Sequence, residues 1–590
     1  CKGEYKMIAI DLGESTMKIA AWKKSVNPQF ADAAEMVVND TSKRLTPLRM
    51  CFRKQSYFVC DHSTPNMISN IPNYIWNVKR VIGSSSLVED AKKEVEEGKL
   101  KENLELDSER GLYNVEFDNK HLKVDAEHAM AFMLEYGYYI AAKKHDDSRS
   151  QSEIAKSLGS DGSRMIITVP SYYTLSHIRG LQLALDLKGL SDAVFLQENV
   201  AVAVEFGYYR NLDGVFSTPQ VVVFANMGCV AATLTAVEYK ENHMKVLATR
   251  SLMLGGDDFS QRATTVLEGL CREQLQEATG KSVLKNELVL RNKAKELKEV
   301  FALDEMDEMI VDIDFYGGDD AFFTGDVERG AIVDSYADLF ARFTAFVEDF
   351  FACEELKGEK VDRVEISGAA MRMKRLQEIV ARAAFPDNPE KQCNSTLNMD
   401  ECVCRGACLL GEMVYREKSM RVSATTAPFA YNNGSEEVRH EMRVLGYGDA
   451  MEGDAGAAVE MVCATKLEEA ATQHAWQAVA EHAREVEHTI HLWSALQDEW
   501  NSERNTVDHE YYHGRDTLKT KQSRLGQLER KKDIGATLTA EDEAELKRLY
   551  AERDALLDRY DVVHEKVNRI GTKPTEENIQ ELKELTQELK

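Results

Sequence analysis

Apolar residues fall in short alternating or continuous runs through the first two thirds of the chain, and at three-to-four-residue spacing in the last third. The stretch Ile8-Ala-Ile-Asp-Leu-Gly-Glu-Ser-Thr-Met-Lys-Ile-Ala-Ala-Trp22 reads as strand, tight turn, strand. Ile8 and Ile10 alternate before the turn, and Ile19 to Trp22 resume after it. Val221-Val-Val-Phe-Ala-Asn-Met-Gly-Cys-Val-Ala-Ala-Thr233 repeats this layout, with its turn at Gly228. Two copies of one unit, about 215 residues apart, predict two related lobes facing each other.

The segments between and after the copies follow the same logic. Glu35-Met-Val-Val38 and Tyr57-Phe-Val-Cys60 read as strands, and Asn73 to Gly83 as a helical pattern carrying Lys79 and Arg80. A helix is predicted over 125–145, a strand over Arg164 to Pro170 and a helix over about 174–188. Ala193 to Glu198 is the next strand, with Glu198 opening the helix Asn199 to Tyr208. Leu254-Gly-Gly-Asp-Asp-Phe-Ser260 is a paired-glycine turn entering a helix, and residues 285–302 form another, with Lys298 on one face. Val364-Glu-Ile-Ser-Gly-Ala-Ala-Met-Arg372 is a strand followed by small residues that permit close backbone approach to a ligand. A helix over 373–384 follows, and Asn398-Met-Asp-Glu401 caps a last helix to about Tyr415.

The pattern changes after Val422. Residues 423–465 are loop-rich, with two short apolar stretches, Met442 to Leu445 and Val459 to Cys463, as a candidate hairpin. Residues 466–590 read as an α-helical bundle. Trp476, Val479, Ala483, Val486, Ile490, Trp493 and Trp500 form one stripe, and Thr539-Ala-Glu-Asp542 is a helix-start signal. His474, His482, His488 and His491 ride on the first helix without a metal-binding spacing. The division is therefore 1–422, 423–465 and 466–590.

Composition narrows the function classes. A net charge of −27 argues against a nucleic-acid surface, and no apolar run reaches the roughly 18 residues of a membrane span. Residue 1 is Cys, so either a leader was removed or the numbering starts inside a longer chain. Cys393, Cys402, Cys404 and Cys408 lack a zinc-type pair and read as packed small side chains. Asn39-Asp-Thr41, Asn394-Ser-Thr396 and Asn433-Gly-Ser435 would accept glycans in a secretory compartment. Thr279-Gly-Lys-Ser282 imitates the tail of a P-loop, but Leu275 stands where the first glycine belongs.

The candidate chemistry gathers at the turns. Consecutive turn N–H groups can cradle a phosphate, and Asp11 at the strand end can hold a metal through water. A lysine such as Lys79 can reach a transferred phosphate; a plain pair of solvated charges is the simpler reading of Lys79 and Arg80. Glu198, at a strand-to-helix junction, is either a helix-start charge or a group that orients water or metal.

In order, Asp-Leu-Gly, Val-Lys-Arg-Val-Ile-Gly, Val-Pro-Ser-Tyr-Tyr, Gln-Glu-Asn-Val-Ala-Val-Ala, Asn-Met-Gly, Leu-Gly-Gly-Asp-Asp-Phe, Ser-Gly-Ala-Ala-Met-Arg and Asn-Met-Asp-Glu resemble the ATPase domain of the 70-kDa heat-shock chaperone superfamily. The resemblance covers about residues 5–422 and is nearest to the large divergent members, the 110-kDa and 170-kDa branches. It implies an α/β fold of two actin-like (ribonuclease H-like) lobes with ATP or ADP and Mg between them, then a helical bundle. By resemblance Asp11, Gly13 and Gly228 line the phosphates, and Lys79 and Glu198 match the catalytic pair. Gly255 and Gly256 lie beside the nucleotide; Lys298, Gly368 and Arg372 match the adenosine pocket, and Asp400 a residue near it. Asp11 and Glu198 are the expected Mg residues, acting through water.

The departures bear on activity. The family's Thr after Asp-Leu-Gly is Glu14 here. A carboxylate about 4 Å from a terminal phosphate costs on the order of 4 kcal/mol at an effective dielectric near 20, unless metal-bound or turned away. The family's second Asp-Leu-Gly-Gly-Gly-Thr is Asn226-Met-Gly-Cys-Val-Ala231, and the following Asp is Thr233. Of the adenine-side helix only Lys298 keeps the family residue, and Ala369 replaces a glycine. Efficient hydrolysis is not expected. The roughly 40 residues before the helical part are too few for a peptide-binding β-sandwich of about 100.

Two functions follow. The favoured one is a chaperone-system protein that binds nucleotide weakly and acts on another 70-kDa chaperone as co-chaperone or exchange factor, or holds client proteins. The alternative is a pseudo-ATPase structural subunit of a larger assembly; an active sugar kinase is the weakest reading. The missing initiator Met and the glycan triplets favour the endoplasmic reticulum lumen, while the C-terminal Glu588-Leu-Lys590 is no retention signal and leaves the cytoplasm open.

Overall fold

A computed structural model describes residues 6–23, 33–54, 56–66, 70–83, 104–106, 111–117, 120–145, 163–173, 175–190, 193–241, 243–279, 287–303, 305–314, 322–388, 390–415, 421–424, 429–432, 437–440, 499–512, 524–535, 537–570 and 576–589. The chain divides into two compact units, Cys1–Ala483 and Arg484–Lys590.

The first unit holds two sheets of one design. In lobe I the strands run in the order Val194–Gln197, Ser163–Val169, Lys6–Leu12, Thr16–Lys23, Ala33–Met36. In lobe II the order is Arg363–Ser367, Gln220–Met227, Ala232–Lys240, His243–Leu252, Arg421–Ala424. In each, the strand before the tight turn pairs antiparallel with the strand after it and parallel with a strand from later in the chain. These central strands are apolar because helices cover both faces. Met7 to Ile10 and Val222, Val223 and Ala225 are wholly buried. The sequence repeat is thus a structural repeat.

Two helices carry the chain between the lobes. Glu198–Leu212 starts at the end of a lobe I strand and packs against Gln220–Met227 and Ala232–Lys240 of lobe II. Cys402–Tyr415 follows lobe II and packs back on the lobe I strands Lys6–Leu12, Thr16–Lys23 and Ser163–Val169. The helices meet where a Cβ on Gly406 would lie 1.8 Å from the Ala201 carbonyl oxygen. Arg405 forms an ion pair of 2.8 Å with Glu205 beside this contact, and burial raises the Glu205 carboxyl above its usual range despite that pair. In the turn before the second helix Asp400 N–H donates to Asn398 Oδ1 and Cys402 N–H to the Asn398 carbonyl, each at 3.0 Å.

One expectation needs correction. Residues 73–83 are not a continuous helix. Ile71–Asn73 is a 3₁₀ turn, Tyr74–Ile75 pairs with Met50–Arg53, and only Val78–Val81 is helical. Tyr74 and Ile75 bury completely against that sheet, and Asn77 adopts a left-handed φ of 56°, which breaks the helical path.

Beyond Val422, Arg421–Ala424 adds a parallel strand beside His243–Leu252, and Phe429–Asn432 pairs with Glu437–His440. The candidate hairpin of Met442–Leu445 with Val459–Cys463, the stripe from Trp476 to Trp493 and its four histidines lie outside the described residues.

In the second unit, helices Arg524–Asp533, Ala540–Arg569 and Glu576–Leu589 follow the helical residues 499–512. Val507, Tyr511, Val563, Val567 and Leu582 bury together, and Leu525, Leu528 and Leu546 form a second small core. Thr539 and Asp542 make a reciprocal capping box at the start of the long helix.

The glycines make a paired prediction. Gly406→Ala forces a backbone clash at the helix crossing and should cost about 3 kcal/mol or more, or prevent folding. Gly269→Ala, inside helix Gly256–Thr279 with open space around its Cβ, should stabilise by about 0.5–1 kcal/mol. Urea unfolding of both variants checks the opposite signs.

Candidate functional site

Strand register assembles the first turn. Asp11 pairs with Lys18 on one side and Thr168 on the other. Its two carboxylate oxygens accept from Lys18 Nζ at 3.0 Å and from Thr168 Oγ1 at 2.8 Å. Burial pulls the Lys18 pKa down, but the charge and hydrogen bond of Asp11 outweigh it and the ammonium titrates above its usual value. The turn closes by Gly13 N–H donating to Thr16 O at 3.0 Å, and a Cβ on Gly13 would sit 2.5 Å from that oxygen.

The second turn has the same backbone and different chemistry. Gly228 N–H donates to Ala231 O, also at 3.0 Å. Asn226 occupies the register position of Asp11, with Thr233 and Ser367 where Lys18 and Thr168 stand. A charged triad in lobe I is a neutral one in lobe II. Gly368, at φ 79°, follows Ser367; a Cβ there would lie 2.4 Å from Asn226 Oδ1, so only glycine fits.

The remaining candidates arrange themselves in pairs. Lys79 Nζ donates to the Leu12 carbonyl and to Glu198 Oε1, the latter at 3.1 Å. Burial raises the Glu198 carboxyl above its usual range, against the pull of Lys79. Gly255 and Gly256 pack on the second turn: Gly256 N–H donates to Gly228 O at 2.9 Å, and Asp257 N–H to Cys229 O at 2.8 Å. Gly255 N–H donates to Asp258 Oδ2 at 2.9 Å. Lys298 Nζ donates to Gly256 O at 3.1 Å and Ser260 Oγ at 2.8 Å, and burial lowers its pKa. Arg372 and Asp400 form a half-exposed ion pair of 2.8 Å.

Sequence reasoning passes over Lys18 and reads Arg80 only as a solvated charge. Lys18 is legible in principle, since closing the turn between residues 13 and 16 puts 18 opposite 11. Arg80 is not. Its Nε donates to Glu14 Oε1 at 3.0 Å and its Nη2 to Asp257 Oδ2 at 2.9 Å. Glu14 is therefore turned onto a guanidinium and buried there. A cavity between the lobes is lined by Glu14, Trp76, Arg80, Cys229, Asp257 and Lys295, among others. Burial pushes the Cys229 thiol up to about 11, which keeps it protonated and unreactive at neutral pH.

The residues that the resemblance assigns to the phosphates and metal are bonded to one another in this arrangement. The N–H groups of Gly255, Gly256 and Asp257 already have acceptors within lobe II. In the bonded network four carboxylates (Asp11, Glu14, Glu198, Asp257) face three cations (Lys18, Lys79, Arg80), while Arg49, Arg291 and Lys295 add positive charge to the cavity wall. Among the described residues no group of three or more His, Cys, Asp or Glu is placed to hold a metal ion.

Behind Lys79, Tyr173 donates its hydroxyl to the Lys79 carbonyl at 3.0 Å and stacks on His177 at 4.2 Å between centroids. Burial, helped by Lys79, depresses the His177 imidazole to about 3. It is neutral in the folded chain and titrates near 6.5 when unfolded, so its contribution is full above about pH 6.5 and is lost as pH falls toward 3. His177→Gln should remove about 2 kcal/mol of the stability difference between about pH 7.5 and pH 5, read from urea midpoints at the two values.

Comparison with known proteins accords with this geometry. The family model for Hsp70 protein matches residues 7–424. Hypoxia up-regulated protein 1 of Danio rerio is 24% identical over 444 residues, which are 72% of this chain and 41% of that protein. Heat shock protein 88 of Dictyostelium discoideum is 24% identical over 72% of this chain and 50% of its own length. Heat shock 70 kDa protein 4 of Rattus norvegicus is 25% identical over 68% of this chain and 45% of its own. The chain spans about half or less of the length of these relatives. With a matched region covering most of its length and two lobes of the expected layout, the chain belongs to the Hsp70 family and carries its actin-like ATPase fold, followed by a helical region.

Proposed function

We propose that this chain is a divergent chaperone-system protein of the large Hsp70 type, which binds ATP or ADP weakly, hydrolyses it slowly or not at all, and promotes nucleotide exchange on another Hsp70 chaperone or holds client proteins. The Hsp70 family binds ATP and ADP with Mg. One observation carries the reading of this chain: the lobe II turn repeats the lobe I register but holds Asn226 and Thr233, two neutral residues, where the resemblance expects aspartates. A site without the second carboxylate lacks a group to order metal-bound water, so hydrolysis loses a driving element while the backbone nest persists.

In this reading Asp11, Gly13 and Gly228 face the phosphates. Lys79 and Glu198 are the reacting pair, with Gly255 and Gly256 beside the nucleotide. Lys298, Gly368 and Arg372 receive the adenosine, with Asp400 holding Arg372. The relatives named for heat shock and hypoxia support a role in the stress response. The endoplasmic reticulum lumen is the proposed compartment, with the cytoplasm as its alternative. Asn39 is not exposed for glycan attachment there: it is buried, and its Oδ1 accepts from Thr41 N–H and Lys43 N–H. No described helix is long and apolar enough to cross a membrane.

Two measurements test this. Glu14→Thr removes the carboxylate nearest the first turn, so calorimetry should find Mg-ADP binding at least about tenfold tighter than in the unaltered chain, a gain of about 1.4 kcal/mol. Unchanged affinity would mean Glu14 does not oppose the phosphates. Release of labelled ADP from an Hsp70 partner should accelerate when this chain is added; no acceleration, together with no suppression of client aggregation, would overturn the proposal.

A further inference from the structure

The lobes are joined across their cleft by more than the two crossing helices. Ser171 and Ser251 hydroxyls lie 2.8 Å apart, and Asn199 Nδ2 donates to Thr249 Oγ1 at 3.1 Å. These are neutral contacts. Arg80 adds a charged contact. Glu14 and Arg80 belong to lobe I, and Asp257 opens the lobe II helix Gly256–Thr279. The Glu14 and Arg80 side chains are only 5% and 8% exposed, so water screens their pairing little. Glu14 takes one edge of the guanidinium through Nε, and Asp257 takes another through Nη2. A planar fork can serve two carboxylates on two bodies at once; a lysine's point charge cannot hold that geometry.

We propose that Glu14, Arg80 and Asp257 form an interlobe latch that keeps the cleft closed without nucleotide. Glu14 supplies, from within the chain, the anion that fixes Arg80 and aims it at lobe II. The carboxylate that disfavours a phosphate is thus the one that makes phosphate unnecessary for closure. A chain latched in this way presents one fixed arrangement of its lobes to a partner rather than cycling between two. The inference concerns the nucleotide-free protein and stands whether or not the chain binds nucleotide.

The test uses the full chain, stripped of nucleotide. Spin labels are introduced by unnatural amino acids at Ser56 in lobe I and Asp326 in lobe II, both exposed and on strands. Double electron–electron resonance should give one narrow interlobe distance, unchanged by Mg-ADP. Arg80→Lys and Asp257→Asn should each raise a longer-distance population roughly fivefold or more. The double variant should do no more than either single one, because both act on one bond. Asp257 is about a third exposed, so its variant carries the test if the buried Arg80 change prevents folding. A broad distribution in the unaltered nucleotide-free chain, or wild-type distances in Asp257→Asn, overturns the latch.

Discussion

The crossing of helices Glu198–Leu212 and Cys402–Tyr415 is the contact on which the first unit depends. The chain enters lobe II along one helix and returns to lobe I along the other, so the lobes are tied at their base by two rods that touch. Contact this close needs a residue without a side chain at Gly406, because the Ala201 carbonyl occupies the space a Cβ would take. The ion pair of Arg405 with Glu205 then spans the same crossing, its carboxylate buried and its guanidinium partly wet. Everything that faces across the cleft is positioned relative to this joint.

Above the joint, one backbone design is used twice with opposite electrostatics. Both turns close by the same N–H to carbonyl bond, and both first strands have a parallel partner whose last hydroxyl residue lies beside the strand end. In lobe I that position holds a carboxylate neutralised by Lys18; in lobe II it holds an amide needing no counter-charge. A buried carboxylate is tolerated only with partners, and Asp11 has both a cation and a hydroxyl. Asn226 carries no such demand, and its partner Thr233 is neutral where Lys18 pairs with Asp11. The asymmetry is one of charge, with shape conserved.

The carboxylate at Glu14 illustrates how a local conflict is resolved at long range. Beside a phosphate it is unfavourable; beside Arg80 it is satisfied, and the same arginine reaches a residue 177 positions later in the chain. The strained expectation drawn from the turn alone is replaced by a compensated network whose members come from three separate segments.

Much of this architecture is legible in the sequence because its signals are local. Alternation and turn chemistry mark the strands on either side of Gly13 and Gly228, and the repeat itself announces two similar lobes. The capping signal at Thr539 acts within a few residues and appears as a reciprocal capping box where expected. The segment 73–83 misleads for the opposite reason. Its apolar spacing suits a helix, but pairing of Tyr74 and Ile75 with Met50–Arg53 outweighs that preference. Nothing within the segment announces that partner strand. The sequence by itself determined the elements, the repeat and the loss of charge in the second turn. Only the tertiary structure decided which cation meets which carboxylate, because ion pairs such as Arg80 with Asp257 depend on how separate elements pack, and no spacing along the chain encodes that distance.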